Sequence, residues 1–193
     1  ILFDTRRPDG SNFTFGSSGF LYRSNKLMYD HQTQSLWNQF TGKPVVGRLS
    51  DSDIALKTLP VAITSWGDWK TDNPATKVLA LETGYRRDYR PGKPYGDYFE
   101  SADLLFPARV ERTELDPKDY VFALRSSGID KAWSLASFEN EPVINDIAGA
   151  LTLTLIGDAE TRTVRAYRTD GTKFRKTDDP RQVVANGEMW RAT

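Results

Sequence analysis

Residues 27–42 read LMYDHQTQSLWNQFTG. Apolar and polar residues alternate on either side of His31-Gln32-Thr33-Gln34, the pattern of two short strands joined by a polar hairpin loop. The stretch also holds the only histidine of the chain, with Asp30 before it and amides after it. A reaction centre is the competing reading, yet one histidine without a second strong ligand or an adjacent nucleophile makes a poor one. The expected arrangement is Met28 packed, Asp30 and Thr33 bonding turn amides, and His31 exposed at the loop.

The two-residue alternation spreads outward from this hairpin. Residues 12–16, 26–30 and 35–40 are expected strands between Gly, Asn and Asp punctuation, which makes the first third a β-meander. Residues 60–64 predict another strand. A short helix over 66–72 follows, capped by Thr64 or Ser65 and stopped before Pro74, and 77–81 returns as a strand. Residues 83–107, TGYRRDYRPGKPYGDYFESADLLFP, read as a long aromatic, proline-bearing loop, and loops of this length in compact domains are functional or packed as covers. Beyond the charged connection 111–118, residues 120–124 and 131–133 are expected to pair across a turn at Ser126-Ser127-Gly128. A short helix over 134–138 and a strand over 150–155 follow.

A weak internal echo is visible. Residues 163–167 and then 182–190 repeat the order of the first forty residues, a strand pair followed by a hairpin whose return strand carries a tryptophan, and Trp190 then stands where Trp37 stands. Asn186-Gly187 is a strong tight-turn dipeptide. The expected fold is therefore mainly β with a few short helices, in two related lobes of meandering antiparallel strands. The lobes are 1–112, which includes the loop 83–107, and 113–193, a partial and truncated repeat. Trp37, Phe40, Val61, Ile63, Val78, Leu79, Leu81, Leu153 and Leu155 are the expected core.

Composition narrows the function classes. Lys and Arg together number 26, as do Asp and Glu, so the formal net charge is zero and there is no electrostatic footprint for nucleic acid or an anionic membrane surface. Cysteine is absent, which removes disulfides, thiolate catalysis and sulfur metal sites from this stretch. No run approaches a membrane span, and ILFDTRRPDG lacks the charged start and apolar core of a signal peptide. The chain opens and closes in apparent strands, as a processed or excised segment would. Unpaired edges there invite a homodimer.

Four strings, SSGFLYRSNKLMYDHQTQSLWNQFTGKPVVG, LPVAITSWGDWKTDNPATKVL, TGYRRDYRPGKPYGDYFESADLLFP and PVINDIAGALTLTL, resemble the bacterial domain-of-unknown-function family 3179. The resemblance spans Phe3 to about Leu155. It implies a bacterial protein, exported to the periplasm or secreted, and it carries no established biochemical activity. Members of that family usually carry a Cys-x-x-Cys motif just before the segment matched by Ile1-Leu2-Phe3-Asp4, preceded by a His-Glu-x-Val-Asn-Asp string. The counterpart here of that string, Glu139-Asn140-Glu141-Pro142-Val143-Ile144-Asn145-Asp146, lacks the histidine.

Three groups of residues are candidate sites. Met28, Asp30 and His31 offer thioether, carboxylate and imidazole ligands to copper or zinc, which the resemblance implies only together with thiolates from an upstream segment. Trp66, Asp68 and Trp69, with Tyr85, Arg86, Arg87, Asp88, Tyr89, Tyr95, Asp97 and Tyr98, combine the stacking area and forked donors of a sugar or peptide groove. Their bland alternative is a cover loop knitted by tyrosines, with Arg86, Arg87 and Asp88 in ordinary surface pairs. Asn145 and Asp146 read as turn residues, as do Ser17-Ser18-Gly19 and Ser126-Ser127-Gly128. No complete catalytic motif and no Gly-rich phosphate loop is present.

The expected function is a non-catalytic binding or scaffold domain that presents the 83–107 loop and the Trp66–Trp69 turn to a small molecule, glycan or peptide, without a cofactor. The alternative of a different class is a metal or redox protein completed by the upstream cysteines. A glycan-acting enzyme using Asp68, Asp88 or Asp97 is the weaker third.

Overall fold

A computed structural model describes residues 1–7, 9–90, 92–106, 108, 109, 111–126 and 128–192. Among the described residues the chain is mainly β, in several small antiparallel sheets with three short helices. Cα proximity divides it into two compact units, 1–61 with 104–110 and 62–103 with 111–193. This division differs from the expected boundary at 112/113: residues 62–103 group with the second unit because their ties run into it. Arg181 bonds Asp68, and Lys118 bonds the carbonyls of Tyr98 and Ser101.

In the first unit β1 (Leu2–Asp4) pairs with β6 (Lys57–Leu59). Strands β2 (Phe15–Tyr22), β3 (Asn25–Asp30), β4 (Leu36–Asn38) and β5 (Pro44–Val46) form a sheet in sequential order. Alternation sends Met28 of β3 toward Trp37 of β4, its register partner. Around the fully buried Trp37 lie Phe13 and Phe15, with ring centroids 5.0 and 5.4 Å away and edge-on, the favoured geometry for aromatic quadrupoles. Leu56 completes this core, and Phe3, Met28, Leu49 and Ile54 pack against it.

The second unit opens with α1 (Trp66–Asp72), then α2 (Gly96–Glu100). The hairpin β7 (Val121–Ser126) and β8 (Ile129–Ser134) and the single turn α3 (Ser137–Asn140) follow. Next come the sheet β9 (Val143–Ala148), β10 (Leu151–Asp158) and β11 (Thr163–Thr169), and the sheet β12 (Arg175–Lys176), β13 (Gln182–Ala185) and β14 (Glu188–Arg191). The β13–β14 turn is Asn186-Gly187 with φ of +52° and +81°, the left-handed pair that a tight primed hairpin demands.

One face of the β9–β10–β11 sheet carries Leu153, Leu155, Val164 and Ala148 into a core with Trp133, Leu135 and Phe138. At its edge Asp146 accepts from the Trp133 indole N–H at 2.8 Å and pairs with Lys131 at 2.7 Å. The other face meets the following segment. Asn145 donates to the carbonyl of Phe174 and accepts from its N–H, and also accepts from Thr154.

Several expectations are corrected. The helix over 66–72 stands as read, with Ser65 as its cap. Residues 60–64 and 77–81, however, are not strands. Among the described residues no strand pairs with them, and Val61, Ile63, Val78, Leu79 and Leu81 are exposed, Leu79 by 84%; β propensity without a partner strand does not make a strand. Phe40 falls in the turn after β4 and is exposed, whereas Trp37, Leu153 and Leu155 are buried.

Strand β2 begins at Phe15, and Asn12 makes only an isolated bridge with Arg6. Ser17-Ser18-Gly19 lies within β2 beside a register shift, not in a turn, and Asn145 and Asp146 lie within β9. The 83–107 loop contains α2, and the later helix is displaced to 137–140. Of the expected turn 126–128, Ser127 lies outside the described residues, as do Pro91 and Pro107 of the loop. Trp190 is 51% exposed, edge-on to Phe174, so its setting is unlike that of Trp37. The tryptophan that resembles Trp37 is Trp133, since each donates its indole N–H to an aspartate.

Candidate functional site

The opening hairpin resolves into a carboxylate cage. Asp30 ends β3 fully buried and accepts from Thr33 N at 2.5 Å, Thr33 Oγ1 at 2.6 Å, Ser35 N at 3.2 Å and Trp37 Nε1 at 2.9 Å. Burial pushes its carboxyl up, but these donors outweigh burial and hold it below the ordinary value of 3.8. His31 is exposed on the opposite face, with its ring 4.9 Å from that of Tyr29. Met28 is half-buried against the Trp37 cluster. The three proposed ligands therefore do not converge. Among the described residues no group of three or more His, Asp or Glu side chains is placed to hold a metal.

Met28 has a measurable signature. As a packed side chain, Met28→Ala is expected to lower stability by about 2 kcal/mol in chemical denaturation, the low end for methionine truncation because the side chain is only half-buried. A loss well under this, with unchanged metal content, would sink both the packing and the ligand roles.

The long loop is tied internally. Thr83 Oγ1 and Tyr89 OH lie 2.8 Å apart, and Arg90 grips Asp88 through Nε at 2.9 Å and a terminal nitrogen at 2.6 Å. Asp88 thus pairs with Arg90 rather than with Arg86 or Arg87, which are exposed together with Tyr85, Tyr95 and Asp97. Lys118 sits 3.7 Å over the Tyr98 ring while bonding the carbonyls of Tyr98 and Ser101.

A cleft of about 690 Å³ lies within the second unit. Its floor is Ile156, Gly157 and Asp158 of β10 with Thr163 and Arg165 of β11, and its walls come from α1, α3 and the 176–182 segment. The capping of α1 places its acids there. Ser65 Oγ accepts from Asp68 N at 3.1 Å and donates to Asp68 Oδ2 at 2.8 Å, which aims the carboxylate outward. Asp72, one turn on, shares that helix face and also lines the cleft.

Arg181 meets Asp68 Oδ1 at 2.5 Å. Ser65 first, then Arg181, holds the Asp68 carboxyl below its usual range. Asp68 is thus the one sequence candidate that lines the cleft, while Trp66 and Trp69 lie half-exposed outside its lining.

The cleft is lined by charges of both signs. The carboxylates of Asp68, Asp72, Glu139, Asp158, Asp178 and Asp179 face the cations of Arg165, Lys176, Arg181 and Arg191. Asp158 is committed to the N–H groups of Glu160 and Thr161, and Asp179 to Arg181 N and the Gln182 amide. Sequence reading missed Arg165. The only signal was the alternation in TVRAYRT, which turns Arg165 away from Val164 and Ala166.

Fold and cleft together define a mainly β protein with a ligand-sized, charge-lined recess in its second unit. A family model described as Protein of unknown function (DUF3179) matches residues 1–189, and the chain belongs to that family. No curated protein and no solved structure matches it. Among the described residues no helix is long and apolar enough to cross a membrane.

Proposed function

We propose that the chain is a non-catalytic binding domain whose ligand, a small polar molecule, a glycan or a peptide segment, occupies the cleft of the second unit. The observation that carries this reading is the cleft itself: its volume of about 690 Å³ falls in the range that holds small ligands, roughly 300–1,000 Å³, and it is lined by both charge signs. The glycan-acting reading needs a carboxyl raised toward neutrality to act as general acid. Asp68 is pulled the other way, and Asp158 and Asp179 are spent on neighbouring donors. Binding by hydrogen bonds and ion pairs is what such fixed, ionised groups do well.

Calorimetric titration with neutral oligosaccharides, acidic oligosaccharides and short peptides tests this. The comparison variant is Thr161→Tyr, which fills the recess from an exposed lining residue. Saturable binding by at least one class, lost in the variant while its thermal unfolding is unchanged, is the expected result. Binding that survives Thr161→Tyr, or no binding by any class, overturns the reading.

A further inference from the structure

The floor of the cleft holds an arginine with an unused donor. Arg165 sits mid-strand in β11, opposite Ile156, with its side chain half-buried, and its Nε is buried with no hydrogen-bond partner among the described residues. A buried guanidinium N–H left unpaired is unfavourable and rare in folded proteins. A guanidinium presents its donors as a planar fork that matches a carboxylate in bidentate fashion. Asp68, which feels the Arg165 charge, is already bonded by Ser65 and Arg181 and does not supply the partner.

The surroundings limit what can enter. Carboxylates outnumber cations in the lining six to four, so a dianion is repelled more than a singly charged group. The side-chain carboxylates of Asp72, Glu139 and Asp178 carry no hydrogen bond or ion pair among the described residues and remain available to a cationic group.

Resting on the reading of this cleft as a ligand site, we infer that its ligand is a zwitterion of the amino-acid or peptide class. Its carboxylate seats on Arg165, and its ammonium faces the uncommitted acids. Arg165 reads the end of the chain, and the rest of the recess accommodates the residues before it. A glycan without both charges satisfies neither partner.

The test uses triglycine, its C-terminal amide and its N-acetyl derivative, titrated into the whole chain. Calorimetry is read beside the Arg165 Nε–Hε resonance in a nitrogen-15 correlation spectrum. Triglycine is expected to shift that resonance saturably. The amide, which lacks only the carboxylate, is expected to bind roughly tenfold to a hundredfold more weakly, the worth of a charge-assisted hydrogen bond, and to leave the resonance in place. The N-acetyl form is expected to move the resonance but to bind more weakly than triglycine.

In Arg165→Lys, which keeps the charge but loses the fork, triglycine affinity is expected to fall toward that of the amide. Equal binding of triglycine and its amide, with an unmoved Arg165 signal and shifts elsewhere in the cleft, overturns the assignment and leaves the cleft a binding site. No response to these probes, while a neutral sugar from the wider panel binds, overturns the zwitterion class alone. Silence to every probe in both experiments removes the cleft reading with it. The wild-type comparison decides even if the lysine variant fails to fold.

Discussion

Asp30→Ala is expected to destabilise the first unit by about 3–5 kcal/mol, measured by chemical denaturation, the range for removing one member of a buried charged network. The size follows from what the side chain leaves behind. The Trp37 indole N–H and the backbone N–H groups of Thr33 and Ser35 all donate to this one carboxylate, and buried donors without acceptors are each unfavourable by about 1–3 kcal/mol. Asp30→Asn keeps the shape but turns one acceptor oxygen into a donor, so its loss is expected to be smaller though still clear. A loss under about 1 kcal/mol for the alanine variant, the scale of an ordinary substitution, would show that the cage does not hold the hairpin.

The same carboxylate sets an acid limit. Its folded-state value lies below the ordinary 3.8, so the unfolded chain takes up the proton first. The stabilisation is therefore fully present above the unfolded value and is lost as pH falls through 3.8 toward the lowered one. The difference in unfolding free energy between wild type and Asp30→Asn is expected to shrink across that interval. A difference constant with pH would contradict the assignment.

What could be read from the sequence was whatever short range decides. The 27–42 hairpin, the helix over 66–72, the Asn186-Gly187 turn and the pairing of 120–124 with 131–133 each rest on alternation, a cap or a turn dipeptide within a few residues. The errors at 60–64 and 77–81 share one cause: KVLAL and PVAIT have strand composition, but a strand exists only where another backbone accepts its hydrogen bonds. Asp146 reads as a turn residue until Trp133, thirteen positions earlier, is brought beside it. The cleft was illegible for the same reason. Asp68 and Arg181 are 113 positions apart, and Arg165 lines the same recess only because segments distant in sequence, α1 among them, come to stand beside β11.

Phe138→Ala is expected to lower the stability of the second unit by about 3–5 kcal/mol, the usual loss for emptying a buried aromatic site. The informative measurement pairs it with Gly157→Ala. Gly157 lies in β10 without a positive φ, so an alanine there fits the backbone and, in open space, would stabilise by about 0.4–1 kcal/mol through the unfolded state. Here its Cβ would stand 2.4 Å from a Phe138 ring carbon, well inside van der Waals contact. Gly157→Ala alone is therefore expected to destabilise by about 1–3 kcal/mol, as overpacked cores do.

In the double variant the clash has no partner, and the added methyl occupies part of the space that the ring leaves. The combined loss is expected to fall short of the sum by about 1–2 kcal/mol, a coupling typical of residues in direct contact. Losses that add within about 0.5 kcal/mol would mean that the ring does not rest on the Gly157 backbone. A stabilising Gly157→Ala would mean that α3 does not pack on β10 as closely as the Phe138 ring position requires.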